Sequence, residues 1–488
     1  MSPAQPVRWS DATLVEVAAA IAQGAVSARA VTEDCLARID ELQPAVNAFL
    51  RVDRAAALAA ADRADSVLAG SGPSGPLHGV PLAHKDMYYR EGQVSTCGSR
   101  VRAGWHADRT ATTLARLDAA GAIDLGTLNM SEFALGPTGH NAHYGPARNP
   151  WHTDHITGGS SSGSGASVAA RLAYGSLGSD TGGSVRLPAC MNGVVGMKPT
   201  YGLVSRYGTM GISFSVDTPG PLARTARDCA RLLGVIAGHD PRDVHTSRRR
   251  VPDYEASCER GVEGLRIGVP CDYFYDGASE EIRTLMEASL AALEAQGAKL
   301  VEVTLPDAAP LTEMGRAVIY AEATALHGEW LRTRGDAYSE QVRVRASTGV
   351  AIPSAAYLEA LHLRPVVVRE FVNELYAHCD VLHAPTLAIP VPTIEETDVG
   401  SGESMWRIIA DLVRCTGPVN YLGLPALAVP AGFTANGLPA GFQLIGRPFD
   451  EARLLQVAAA YEAVTDWVSR APGLCAGPGA QAPSDGNR

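Results

Sequence analysis

Lysine is almost absent from this chain, and where it survives it invites a chemical reading. Of 41 basic residues only Lys85, Lys198 and Lys299 are lysine; the rest are arginine. Such a skew is what drift in a GC-rich genome produces wherever a plain positive charge suffices. Arginine cannot lose its proton in a protein, whereas a buried lysine can be held as a neutral amine and act as a base. Lys85 ends the apolar run Gly79-Val80-Pro81-Leu82-Ala83-His84-Lys85. Two serine-glycine clusters follow, Gly158-Gly159-Ser160-Ser161-Ser162-Gly163 and Gly178-Ser179-Asp180-Thr181-Gly182-Gly183-Ser184. A serine hydroxyl is a poor nucleophile until a base takes its proton. Free lysine titrates near 10.4, so burial has to bring it down to about 7 for that task. Thr181-Gly182-Gly183-Ser184 can turn successive N–H groups toward one point, as an oxyanion hole requires, and glycine leaves room for a carbonyl there. These residues predict a serine hydrolase that uses lysine in place of histidine.

Competing motifs carry less. Gly159-Ser160-Ser161-Ser162-Gly163 fits the nucleophile-elbow pattern, but a loop-like Asn149–His155 precedes it and no histidine follows His383. Gly163-Ser164-Gly165 lacks the third glycine and the lysine that phosphate-binding loops use. His140, His143, His152 and His155 lack the spacing of a helical zinc pair, so no metal is expected. Cys190 reads as a packing residue and Lys299 as a solvated charge; Lys198 is compatible with a structural ion pair near the core, but it lies too close to the second serine cluster for the sequence to place it.

The surrounding elements have to hold these groups. Three helical stretches come first: Ser10-Asp11 to about Gln23, Ser27 to just before Pro44, and about Asp53 to Leu68. Short apolar runs then alternate with turns and helices (Ala111–Ala120, Gly165–Leu172), suggesting a buried, mostly parallel sheet. Further strands are expected at Leu265–Val269, Lys299–Val303 and Asp380–Pro385, with helices at Glu280–Gln296, Leu311–Thr333 and Ala355–His378. Cys415–Gly446 is free of charge, but its prolines and glycines break a spanning helix; short strands around an Asn436-Gly437 turn explain it. The tail from Ala471 reads as frayed. A net charge of −11 speaks against nucleic-acid or anionic-membrane binding, and Arg248-Arg249-Arg250 is a solvated loop. Nine scattered cysteines and no leader pattern fit a reducing cytoplasm.

The run from Gly158 through Pro188 to Gly193-Val194-Val195-Gly196-Met197-Lys198-Pro199-Thr200 resembles the amidase signature. Gly79–Asp86 and the segments Gly423–Ala426 and Pro439–Gly446 are also similar to that family, which includes fatty acid amide hydrolase. The resemblance implies one large α/β domain over about 1–472, with a mixed, mostly parallel sheet covered by helices on both faces. Within it fall a helical layer (about 1–75), a signature core (about 76–230), a variable pocket segment (about 240–410) and a core return (about 411–472). A flexible tail, 473–488, follows. It further implies a Ser-cisSer-Lys triad: Lys85 as base, Ser160 as relay behind a cis peptide, and Ser184, 24 residues on, as nucleophile. Thr181, Gly182, Gly183 and Ser184 become oxyanion donors, and Ser161, Asp180 and Arg186 supporting partners. Ser162 departs from the family, which usually has glycine there. The expected activity is hydrolysis of a small aliphatic or aryl amide, with carbamates or esters as further substrates. No cofactor is expected, and the working form is a homodimer. The alternative is the glutamine-hydrolysing component of a tRNA-dependent amidotransferase. The stretch 308–364 does not read like that component's glutamine site, although Arg343-Val344-Arg345 is suggestively placed. A non-catalytic scaffold is disfavoured because Lys85, Ser160 and Ser184 are all present.

Overall fold

A computed structural model describes residues 8–306 and 309–475. Eleven strands form one sheet: β1 (Phe49–Val52), β2 (Pro81–Lys85), β3 (Ile123–Leu128), β4 (Gly175–Asp180), β5 (Val195–Lys198), β6 (Thr218–Ala223), β7 (Arg266–Pro270), β8 (Lys299–Val303), β9 (Val381–Pro385), β10 (Ala426–Phe433) and β11 (Pro439–Ile445). Their spatial order is β1-β3-β2-β4-β6-β5-β10-β11-β9-β7-β8. Every residue of β2, β4, β5, β6, β9 and β11 is buried, so both faces of the central sheet are covered. This explains why these strands read as apolar runs without alternation.

The sheet is mixed, as expected, but its parallel share is smaller. Parallel pairing is confined to β3-β2-β4 and to β8-β7-β9, and the other neighbours are antiparallel. Parallel neighbours need long crossovers, whereas β10 and β11 are joined by a tight turn. Thr434 N–H donates to Leu438 O at 2.9 Å across that turn, and Gly437 takes φ +76 within it.

Most expected elements are present with shifted ends. The first helix is Leu14–Ala22, capped by Thr13 in a reciprocal box with Glu16 rather than by Ser10-Asp11. The second, Ala28–Val46, runs past Pro44 and closes at Asn47 in the left-handed region. The helix expected at Gly165–Leu172 is Ser162–Ala169 and so begins inside the first serine cluster. Lys299 is exposed on β8, as its sequence context suggests. Among the described residues no helix is long and apolar enough to cross a membrane. Residues 476–488, most of the expected flexible tail, lie outside the described residues.

Candidate active site

Two parallel strands bring the chemistry together. β2 and β4 pair in parallel, Ala83 with Ser176 and His84 with Leu177, so both end on the same edge of the sheet. Lys85 is the last residue of β2, and Asp180, the last of β4, leads into Thr181-Gly182-Gly183-Ser184. Ser160 and Ser161 lie just before the helix Ser162–Ala169, which packs against both strands. The Gly159–Ser160 peptide is cis. A Cβ on Gly159 would lie 2.3 Å from the Gly136 carbonyl oxygen, so this loop passes its neighbour too closely for a side chain.

Lys85 is fully buried, and its Nζ reaches Ser160 Oγ at 2.7 Å, Ser179 Oγ at 2.9 Å and Ser161 Oγ at 3.1 Å. Burial lowers its pKa from 10.5 to about 7, against the pull of Asp217 and Asp180. The amine therefore sits among hydroxyls with its proton loosely held near neutral pH. Ser179 stands in the second serine cluster, where no local pattern marks it as a partner of the lysine. Ser161 also accepts from Ser179 N–H at 3.2 Å and donates to Ser179 O at 3.3 Å, so it buttresses this cluster.

Ser184 opens onto a cavity of about 340 Å³ that Thr181 and Gly182 also line. Gly183 takes φ +129, and a Cβ there would meet Thr416 Oγ1 at 2.3 Å. One expected donor is committed elsewhere: Gly183 N–H donates to Asp180 Oδ1 at 2.8 Å. Thr181, Gly182 and Ser184 are left facing the cavity.

Asp180 and Arg186 form a fully buried ion pair, with Nε to Oδ2 at 3.0 Å. Arg186 also donates to Gln443 Oε1 (2.8 Å), Asn420 Oδ1 (2.7 Å) and Thr416 O (3.0 Å). Burial pushes the Asp180 carboxyl up, but the charge and hydrogen bonds of Arg186, with Lys198 and Asn420, prevail and hold it at about 2. Thr416 and Asn420 lie 230 and 234 residues from Arg186, and no local pattern in the chain marks them.

Other singled-out residues take quieter roles. Lys198 is buried and donates to Pro199 O at 3.0 Å, with no carboxylate in salt-bridge contact among the described residues. Burial and the nearby Arg186 lower it to about 7. Cys190 packs with Leu187 and Met191, its thiol pushed up to about 12 by burial. His383 stacks on Phe442 and hydrogen-bonds Ser289. His143 contacts Glu132 and His140 contacts Thr397. Among the described residues no three His, Cys, Asp or Glu side chains gather to hold a metal. Ser162 Oγ is buried without a partner, an unfilled polar group where the family usually has glycine.

The cavity wall comes from distant segments. Ala134–Pro137, Leu187, Ile212 and Tyr273 meet residues of the helix Ala309–Arg334 and of the stretch Trp406–Gly417. Arg345 also lines it and is only 8% exposed. Its Nη2 donates to Tyr320 OH at 3.3 Å, its Nε has no partner, and no carboxylate pairs with it among the described residues.

A family profile described as Amidase matches residues 30–455. The A-type chain of the glutamyl-tRNA(Gln) amidotransferase of Halorhodospira halophila is 41% identical, over 94% of this chain and 98% of that protein. A solved peptide amidase from Stenotrophomonas maltophilia superposes with a TM-score of 0.83 at 32% identity, covering 96% of this chain and 99% of its own. A solved chain from work on a vestigial protein complex and the origins of an s-triazine catabolic enzyme gives 0.87 at 36%, covering 93% and 98%. With a buried lysine against a serine cluster, a glycine-lined serine on a cavity, and likeness along nearly its whole length, this chain belongs to the amidase family, enzymes that hydrolyse carbon–nitrogen bonds.

Proposed function

We propose that this chain hydrolyses a carboxamide whose acyl part carries a carboxylate, using Ser184 as nucleophile, Ser160 as proton relay and Lys85 as base. The observation that carries the chemistry is the 2.7 Å contact of a buried, easily deprotonated Lys85 with Ser160, behind a cavity that Ser184 enters. Ser184 Oγ attacks the carbonyl as its proton passes through Ser160 to neutral Lys85. The N–H groups of Thr181, Gly182 and Ser184 take the developing oxyanion. Lysine then returns the proton through Ser160 to the leaving nitrogen, which is needed because an amide anion is a very poor leaving group. Water releases the acid from the acyl-enzyme. Asp180, Arg186 and Ser161 hold the loops.

Arg345 carries the substrate assignment. A buried guanidinium with no carboxylate partner is costly unless a ligand supplies the charge. Around it the wall is largely apolar: Leu135, Leu187, Ile319 and Val413 fit a hydrocarbon spacer or an aryl ring. Glutamine hydrolysis is the second reading, favoured by the amidotransferase relatives. Glutamine also has an ammonium group, and of the two carboxylates on this wall Glu313 is already paired with Arg316. We infer that the chain acts as a homodimer in the cytoplasm, without other polypeptides.

The test is a panel of ω-carboxylated amides, their neutral isosteres and glutamine, assayed for amine or ammonia release. Arg345→Ala should cost the carboxylated amides about 10- to 100-fold in kcat/KM, the range of a hydrogen bond to a charged group, and leave the isosteres unchanged. Equal loss on both sets would refute the assignment, and turnover of glutamine alone would favour the second reading.

A further inference from the structure

The stretch Gly211-Ile212-Ser213-Phe214-Ser215-Val216-Asp217 leads into β6 without regular structure. Because Asp180 pairs with Thr218 in the β4–β6 ladder, Asp217 falls opposite Thr181, the first residue of the serine loop. Thr181 Oγ1 donates to Asp217 Oδ1 at 2.6 Å. The other oxygen, Oδ2, accepts from Ile212 N–H at 2.7 Å and Ser213 N–H at 2.9 Å. A second buried carboxylate, Glu322, stands on the helix Ala309–Arg334. It accepts from the hydroxyls of Ser213 and Ser215, from Ser215 N–H at 3.0 Å, and from Tyr357 OH at 3.0 Å. Ser213 thus touches both carboxylates, with its N–H on one and its hydroxyl on the other. Neither carboxylate is in salt-bridge contact with a cation among the described residues.

Two buried carboxylates without paired cations are an expensive way to pin a loop. What the arrangement adds is a link between two parts of the site. The helix that carries Glu322 also gives Gly315, Arg316, Ile319 and Tyr320 to the cavity wall, and Ile212 lines the same cavity. At the other end of the chain of hydrogen bonds lies Thr181, at the mouth of the oxyanion loop.

We propose that Asp217 is a positioning residue for amide hydrolysis: it fixes Thr181 so that the loop's N–H groups meet the carbonyl on Ser184, and through Ser213 and Glu322 it keeps that loop in register with the helix that holds the acyl group. The inference rests on the serine-lysine reading above. Asp217 has a second effect, through its charge. The titratable groups facing Lys85 are Asp217 at the start of β6, Asp180 at the end of β4 and Cys97 in the loop after β2. Burial pushes the Cys97 thiol up to about 12, which leaves the two carboxylates to favour the lysine's proton. Burial also pushes the Asp217 carboxyl up, opposed by the hydrogen bonds from Thr181, Ser213 and Ile212.

The experiment follows phosphonylation of the full-length chain by a fluorophosphonate. In this reaction Ser184 Oγ bonds to phosphorus, fluoride leaves, and Lys85 takes the proton through Ser160. Asp217→Asn should lower the limiting rate by about 10- to 100-fold, somewhat less than outright loss of an oxyanion donor, with the reagent's half-saturation unchanged. Removing a negative charge near an ammonium favours the neutral amine, so the acid limb of the rate should also move to lower pH. Thr181→Val removes the hydroxyl and keeps the charge; it should reproduce the rate loss and leave the acid limb in place. A folded Asp217→Asn with wild-type rate and limb overturns the proposal. If that variant does not fold, Thr181→Val with an unchanged rate overturns it alone. Ser184→Ala separates the two ideas. Continued labelling in Ser184→Ala sinks the serine-lysine reading, whereas no labelling there with normal Asp217→Asn and Thr181→Val sinks only this inference.

Discussion

At the scale of single residues, Lys85 and Lys299 make a natural experiment in what a positive charge is for. Lys299 is an exposed strand residue, whereas Lys85 is 1% exposed and surrounded by three serine hydroxyls. Lys299→Arg should be silent. Lys85→Arg keeps the charge, offers no removable proton and crowds Ser160. It should lose about 10³-fold or more in kcat, on the scale of a lost general acid–base group, while circular dichroism stays native. Near-normal turnover by Lys85→Arg would end the lysine-base mechanism. In the proposed mechanism the base works only when neutral, so the wild-type rate should rise with pH through about 7, the value to which burial lowers Lys85. The sequence picked out this lysine by its type and its apolar neighbours. It could not say which hydroxyl the amine meets, because Ser160, Ser161 and Ser179 all do.

At the scale of elements, the serine loop is held between the end of β4 and the helix Arg186–Asn192 by one ion pair. Asp180 gathers the N–H groups of Gly183, Val185 and Arg186, and Arg186 ties it to Thr416 and Asn420. Arg186→Met leaves a fully buried carboxylate without its cation, which costs about 3–5 kcal/mol. A urea midpoint within error of wild type would show that Asp180 is satisfied without Arg186. The elements themselves were largely legible, since hydrophobic pattern and caps are local. Their ends were less so. Ser162 reads as part of a glycine-rich loop, yet it is the first helical residue, because tertiary packing against β2 and β4 overrides the weak helix preference of Ser and Gly.

At the scale of the whole molecule, the cavity is assembled from segments that sequence keeps far apart: 134–137, 181–187, 212, 273, 309–345 and 406–417. On the proposed reading, the chain expressed alone and purified should turn over carboxylated amides without added polypeptides and run as a homodimer in sedimentation. Activity that appears only with further chains would move the assignment toward an amidotransferase component.

The family and its carbon–nitrogen hydrolase class are legible in the chain because the signature residues lie in short contiguous motifs. Contacts between distant segments are not. Tertiary structure placed Gly183 N–H on Asp180 and Lys198 Nζ on the Pro199 carbonyl, and turned the Arg343-Val344-Arg345 hint into one buried guanidinium on the cavity wall. It also brought Asp217 beside Thr181 and Glu322. Each of these outcomes depends on which distant segment occupies the neighbouring space. Local pattern carries no record of that, because periodicity reports whether a side chain is buried and says nothing about what it is buried against.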